Sequence, residues 1–125
     1  VLLRIAGEPV GFMPKCVEAQ LKSGDAGDIW GFFGAAVTGE AGRIREVKDH
    51  KDLGNFTGVG KIKDAEKAPG EWNRYEITVN GGEMELKVNG ELVNEAGGLD
   101  IVSGPIGLQS EGGEIHFRKV QVTTL

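Results

Sequence analysis

Trp72-Asn73-Arg74-Tyr75-Glu76-Ile77-Thr78-Val79-Asn80-Gly81-Gly82-Glu83-Met84-Glu85-Leu86-Lys87-Val88-Asn89-Gly90 is the stretch that decides the fold. Successive side chains of a strand point to opposite faces, so a half-buried strand alternates apolar and polar residues. Here Tyr75, Ile77 and Val79 share one face, and after the Asn80-Gly81-Gly82 turn Met84, Leu86 and Val88 form the inward set of a returning strand. Asn89-Gly90 is the strongest two-residue hairpin signal in the chain, because both positions tolerate positive φ. It predicts a third, short strand over Glu91 to Asn94.

The same pattern recurs on either side. Ala68-Pro69-Gly70-Glu71 breaks the chain before Trp72. Upstream, Lys15 to Lys22 alternates, with Val17, Ala19 and Leu21 on one face and Cys16, Glu18, Gln20 and Lys22 on the other. The Ser23-Gly24-Asp25-Ala26-Gly27 turn leads into a strand over Asp28 to Phe33; weaker patterns occupy Gly39 to Asp52 and Val59 to Lys63. Val1 to Ile5 reads as a strand with no cap before it, so further strands of the same domain are expected ahead of Val1. Downstream, Gly104 to Glu111 and Glu114 to Val122 predict a last hairpin across Gly112-Gly113, with a β-bulge near Arg118-Lys119 where Val120 and Val122 fall out of phase with Ile115 and Phe117. The 21 glycines are aperiodic and punctuate these runs. No segment carries helical periodicity, so about nine short strands imply a two-sheet sandwich or a barrel. The length of 125 residues suits one domain, residues 1–125, with strands missing at its start.

Composition narrows the function. Fourteen basic against 19 acidic residues give a net charge of −5, which repels phosphate backbones, and nucleic acid is not expected as a partner. No apolar run is long enough to span a membrane. Arg43, Arg45, Lys48 and Lys51 are interleaved with Glu46, Asp49 and Asp52, the pattern of a solvated loop or hairpin. The lone Cys16 reads as a small buried side chain, and His50 and His116 have no metal-site spacing. Gly58-Val59-Gly60 lacks the strand-to-helix setting of a dinucleotide loop, and Asn55-Phe56-Thr57 is a chance-prone glycosylation triplet.

What remains is polar chemistry on sheet faces. Glu18, Gln20 and Lys22 share one strand face, with Asp28 and Trp30 just across the turn; Gln109 and Glu111 take the outer phase of a strand whose Ile106 and Leu108 face inward. Carboxylates, amides and an aromatic suit a sugar, whose hydroxyls need paired hydrogen-bonding groups and whose apolar face stacks on an indole. Two carboxylates on neighbouring strands can also act as acid and base. The competing reading is that each is only the wet face of a sandwich strand. Trp72 reads as a packing residue at a strand start, and Asn73 as a side chain that satisfies a turn backbone.

The run Pro14-Lys15-Cys16-Val17-Glu18-Ala19-Gln20-Leu21-Lys22-Ser23-Gly24-Asp25-Ala26-Gly27-Asp28-Ile29-Trp30 resembles the 3-keto-disaccharide hydrolase domain family. So do Gly70-Glu71-Trp72-Asn73-Arg74-Tyr75-Glu76-Ile77, Val88-Asn89-Gly90, and Gly107-Leu108-Gln109 with Phe117-Arg118. The resemblance implies an all-β concanavalin- or LamG-like jelly roll, a small saccharide as substrate, a periplasmic or extracellular location, and cleavage of 3-keto-glycosides by elimination and hydration. That chemistry needs a base near C2, an acid or a divalent metal at the leaving oxygen, and polarisation of the ketone. It implies Glu18 as base or metal ligand, Asp28 as a second acid or ligand, and Glu111 as a further catalytic carboxylate. Gln20, Lys22, Trp30 and Gln109 would bind the sugar. Many relatives carry His where Glu111 stands and Asp where Ser110 stands, a departure at a site that matters. The alternative is a sandwich that binds carbohydrate or another partner without turning it over.

Overall fold

The computed structural model describes residues Val1–Leu125. Eight strands follow in order: β1 (Leu2–Val10), β2 (Met13–Ala19), β3 (Ile29–Phe32), β4 (Ile44–His50), β5 (Gly54–Val59), β6 (Tyr75–Asn80), β7 (Glu83–Val88) and β8 (Glu91–Ala96). A single 3-10 turn, Ala41–Arg43, precedes β4. They form two antiparallel sheets, one ordered β1-β2-β3-β5-β4 and the other β6-β7-β8. The fold is an all-β sandwich.

The alternation that decided the fold holds. Met84, Leu86 and Val88 of β7 are fully buried, Tyr75, Ile77 and Val79 of β6 pack beside them, and Asn89 (φ 53) with Gly90 (φ 83) makes the expected hairpin turn. From the larger sheet Leu3, Val17, Ala19, Ile29 and Val59 face them across the sandwich. Asn94 of β8 spans the gap: its amide donates to the carbonyls of Gly27 and Val59 at 2.9 and 2.7 Å, and its oxygen accepts from Arg43 and from Glu95 N. A buried amide satisfied on both ends ties the sheets in one register, because any slip would strand polar groups away from water. Tyr75 adds a second tie, its hydroxyl donating to the Gln20 carbonyl at 2.6 Å.

β6 begins at Tyr75 rather than Trp72. Asn73 Oδ1 accepts from Lys67 N at 2.9 Å and from Asn89 Nδ2 at 2.9 Å, so it satisfies a loop backbone as expected and holds the chain out of the ladder. β1 and β2 are longer toward their shared turn at Gly11-Phe12 than the alternation indicates.

The larger sheet is also packed on its other face. Leu2, Met13, Cys16 and Phe32 form a second apolar cluster, flanked by Ile5, Trp30, Phe33, Leu53 and Phe56. The face of β2 expected to be polar and outward therefore carries buried side chains. Burial is the main cause that pushes the Cys16 thiol up to about 11, which keeps it a neutral packing group, as expected of a lone cysteine.

The predicted final hairpin over Gly104–Glu111 and Glu114–Val122 does not form. Gly107 pairs with Leu2 through two backbone bonds of 2.8 and 2.9 Å, and beyond Gly107 no residue makes a backbone–backbone hydrogen bond. Two features stop the ladder there. Pro105 has no N–H to donate. Arg4, the residue that would face it, has φ 51 at a register shift of β1. Ile106 and Leu108, expected to face inward, are exposed. Lys119 does adopt φ 53 where the apolar phase breaks, but no paired strand makes it a bulge. Residues 108–125 lie across the molecule as a strap, with the Arg118 guanidinium stacked 4.0 Å over the Trp72 ring.

Candidate functional site

Register builds the site. Leu2 pairs with Gly107 and with Glu18, Glu18 with Trp30, Trp30 with Gly58, and Gly58 with Arg45. Directly opposed residues of antiparallel strands share a face, so one row across the sheet sets Gly107, Leu2, Glu18, Trp30, Gly58 and Arg45 side by side.

Glu18 is 1% exposed. Its cover is the strap: Gln109 Nε2 donates to Glu18 Oε1 at 2.6 Å and to Glu111 Oε1 at 3.0 Å. One amide thus holds two carboxylates. Burial disfavours the charged form and is the largest influence on the Glu18 carboxyl, which is pushed up to about 7. The Val1 ammonium opposes the shift, Glu111 adds to it, and the Gln109 hydrogen bond opposes it. A carboxyl that titrates near neutrality accepts and releases a proton under physiological conditions.

Trp30 lies on Gly58. A Cβ placed at Gly58 would sit 2.3 Å from Cε3 of the indole and 2.6 and 2.7 Å from its bonded neighbours Cζ3 and Cδ2. Near-equal distances to an atom and both its ring neighbours mean that the ring face, not its edge, covers the glycine. Phe56 meets Trp30 edge-on at 5.4 Å between centroids. At Gly60 a Cβ would meet Nη2, Cζ and Nε of Arg45 at 2.8, 2.9 and 2.9 Å, so the guanidinium covers that glycine in the same way. The Gly58-Val59-Gly60 motif is a floor for an indole and a guanidinium.

Asp28 is 2% exposed and both its oxygens are engaged: Oδ2 accepts from Arg45 Nη1 at 3.0 Å, and Oδ1 from Lys61 N at 2.9 Å. It makes no hydrogen bond to Glu18, Gln109 or Glu111. Gln20 turns its Oε1 back onto the backbone N–H groups of Leu21 and Lys22, both at 3.1 Å, and Lys22 lies exposed with its ammonium 3.6 Å from Asp25. The structure therefore brings together Glu18, Gln109 and Glu111 and sets Trp30 beside Glu18. Gln20 and Lys22 are tied to the β2–β3 turn, and Asp28 is tied to Arg45. His116 pairs with Glu114 on the surface.

The charged run from Arg43 to Asp52 forms the solvated β4–β5 hairpin that its pattern indicates, and Arg45, still half exposed, also pairs with buried Asp28. Asp28 lies just ahead of β3, and no local pattern reveals the pair. Arg43, from the same charged run, is likewise held, donating to Gly60 O and to Asn94 Oδ1.

No three of the Asp, Glu, His and Cys side chains converge into a metal-binding group. Between Glu18 and Glu111 stands the N–H side of the Gln109 amide, a donor in the place a cation would need. The donor set as it stands does not fit a divalent ion.

The chain belongs to the 3-keto-alpha-glucoside-1,2-lyase-like domain family. The match covers residues 1–123 and so includes both sheets and the strap. No curated protein and no solved structure matches the chain. Membership places the protein, at family level, with carbohydrate-acting enzymes. No helix is long and apolar enough to cross a membrane.

Proposed function

We propose that the protein cleaves 3-keto-glycosides by elimination across C1–C2, with Glu18 as the base. The observation that carries this reading is the Glu18 carboxyl itself, buried, held by Gln109 and poised near pH 7. A ketone at C3 acidifies the C2 proton, so a base of this strength suffices. Glu18 takes the C2 proton, and the electron pair passes through the enolate into a C1=C2 double bond as the C1–O bond breaks. The departing oxygen leaves with that pair and must receive a proton. We assign that proton to Glu111, which shares the Gln109 amide with Glu18. Addition of water across the double bond then yields the free 3-keto-sugar. Gln109 is the donor nearest the reacting centre, and a ketone oxygen entering beside Glu18 would take over its N–H. Trp30, one strand away from Glu18, offers the sugar ring its outward face. Asp28 holds Arg45 and is assigned no proton transfer.

The test is turnover of a 3-keto-disaccharide by wild type and by Glu18→Gln. The rising limb of wild-type kcat/KM against pH follows ionisation of the base, through about 7. The variant loses turnover yet still binds the sugar. Absence of turnover on every 3-keto-glycoside, with a plain oligosaccharide bound tightly, would support the non-catalytic binding module.

A further inference from the structure

Arg45 is the one cation on the site face that is both anchored and open. Its Nη1 is spent on Asp28, its guanidinium lies flat over Gly60, and its side chain is still 53% exposed. The other N–H groups have no protein acceptor. Beside it on the same strand and face, the Trp30 indole lies flat over Gly58. Two residues along a strand are roughly 7 Å apart, so the indole and the guanidinium tile one continuous floor. The guanidinium sits above β5, two strands from β2, which is about 10 Å across the sheet from Glu18. One pyranose in contact with Glu18 does not reach that far, whereas a second sugar unit joined to it does.

We propose that Arg45, held by Asp28 across the glycine floor, recognises the hydroxyl groups of the sugar unit next to the one that reacts, and so sets the preference for a neutral disaccharide over a small glycoside. This rests on the reading of Glu18 as the base. The charge balance decides the ligand class. Asp28 neutralises Arg45 within the site, so the pair presents oriented donors without net positive charge, and Glu18 and Glu111 add negative charge nearby. Neutral hydroxyls are favoured there over a carboxylate-bearing sugar. Arg suits this role and Lys does not, because only the planar fork holds one donor on Asp28 while aiming others outward.

The experiment compares a neutral 3-keto-disaccharide with the methyl 3-keto-glucoside, using wild type, Arg45→Lys and Gly60→Ala. The added methyl of Gly60→Ala moves the guanidinium off its floor and leaves the Arg45 charge in place, so it remains informative if Arg45→Lys folds poorly. Binding of the unoxidised disaccharide is followed separately by Trp30 fluorescence, in a Trp72→Phe background used throughout. In both variants KM for the disaccharide rises about tenfold more than KM for the methyl glycoside, the effect of one lost hydrogen bond to a charged donor, and disaccharide binding weakens to match. Equal effects on the two substrates, or none, overturn the proposal. So does tighter binding of a uronate-containing disaccharide than of its neutral analogue. If wild type turns over no 3-keto-glycoside but its disaccharide binding still depends on Arg45, the assignment of Glu18 fails and the role of Arg45 stands.

Discussion

Glu18→Gln tests the site through folding as well as through catalysis. In the folded protein the carboxyl titrates near 7, against about 4.5 when it is free of the fold. Below pH 4.5 both states keep the proton and Glu18 adds no pH dependence. Between 4.5 and 7 the unfolded chain ionises while the folded one does not, so stability falls as pH rises; above 7 the loss is complete. A shift of this size corresponds to about 3 kcal/mol, applied to a side chain that is 1% exposed. Gln cannot ionise and keeps an oxygen to accept from Gln109, so the variant escapes the loss. The expected result is near-equal stability at pH 4, and at pH 8.5 a variant more stable by about 3 kcal/mol, a midpoint roughly 10 °C higher. Urea titrations at pH 4, 5.5, 7 and 8.5, followed by circular dichroism, give the curve. A difference that does not change with pH, or a variant less stable at pH 8.5, refutes the account of Glu18 as a buried, strained acid. A gain in stability together with a loss of turnover is the expected signature of a site that gives up stability for reactivity.

Gly58→Ala puts a methyl 2.3 Å from the Trp30 ring face in a strand whose φ is ordinary, so the effect is steric alone. It costs about 1–3 kcal/mol and shifts Trp30 emission, whereas Gly42→Ala, with nothing within 4 Å of the added methyl, changes neither. Arg118→Gln removes the cation–π contact that holds the strap on Trp72. Global stability then changes by no more than about 1 kcal/mol, while limited proteolysis near Gly112-Gly113 speeds up. Unchanged proteolysis would show that the strap is held elsewhere.

How much of the fold was legible depended on whether local pattern or distant partners decided it. β6 and β7 were readable because each carries its own alternation, and β8 because Asn89-Gly90 needs no tertiary context to reverse the chain, although its own alternation breaks at buried Val93 and Asn94. β4 gave a weak signal because it is an edge strand, paired only with β5 and largely exposed. The far ends of β1 and β2 were silent for a similar reason. Residues 7–12 are exposed, and their pairing rests on backbone bonds and on Gly11 at φ 65, which leave no hydrophobic period. The final hairpin was over-read. Alternation over 104–122 states which residues would share a face, but pairing also needs an edge to receive it. Arg4 at φ 51 and Pro105 close the only edge that Gly107 reaches.

The site divides along the same line. Glu18, with Asp28 and Trp30 across the turn, could be picked out because neighbouring strands β2 and β3 are also neighbours in sequence. What they do with their neighbours could not. Asp28 reads as a candidate acid until Arg45 and Lys61 N are found on its two oxygens. The glycines at 58 and 60 read as a weak phosphate-loop motif until the indole and guanidinium above them are seen. These contacts join β3 to β4 and β5, across a connection of 11 residues that carries no strand. The burial of Glu18 is the most distant effect of all, since its cover, Gln109, is 91 residues away. It follows that the reactivity proposed for Glu18 depends on the strap staying in place. A ketone that takes over the Gln109 N–H leaves Gln109 and Glu111 beside the reacting centre, and the desolvation that raises the Glu18 pKa persists only if the bound sugar keeps water from the carboxyl. In the proposed reading, a ring stacked on Trp30 and anchored beyond it at Arg45 provides that cover.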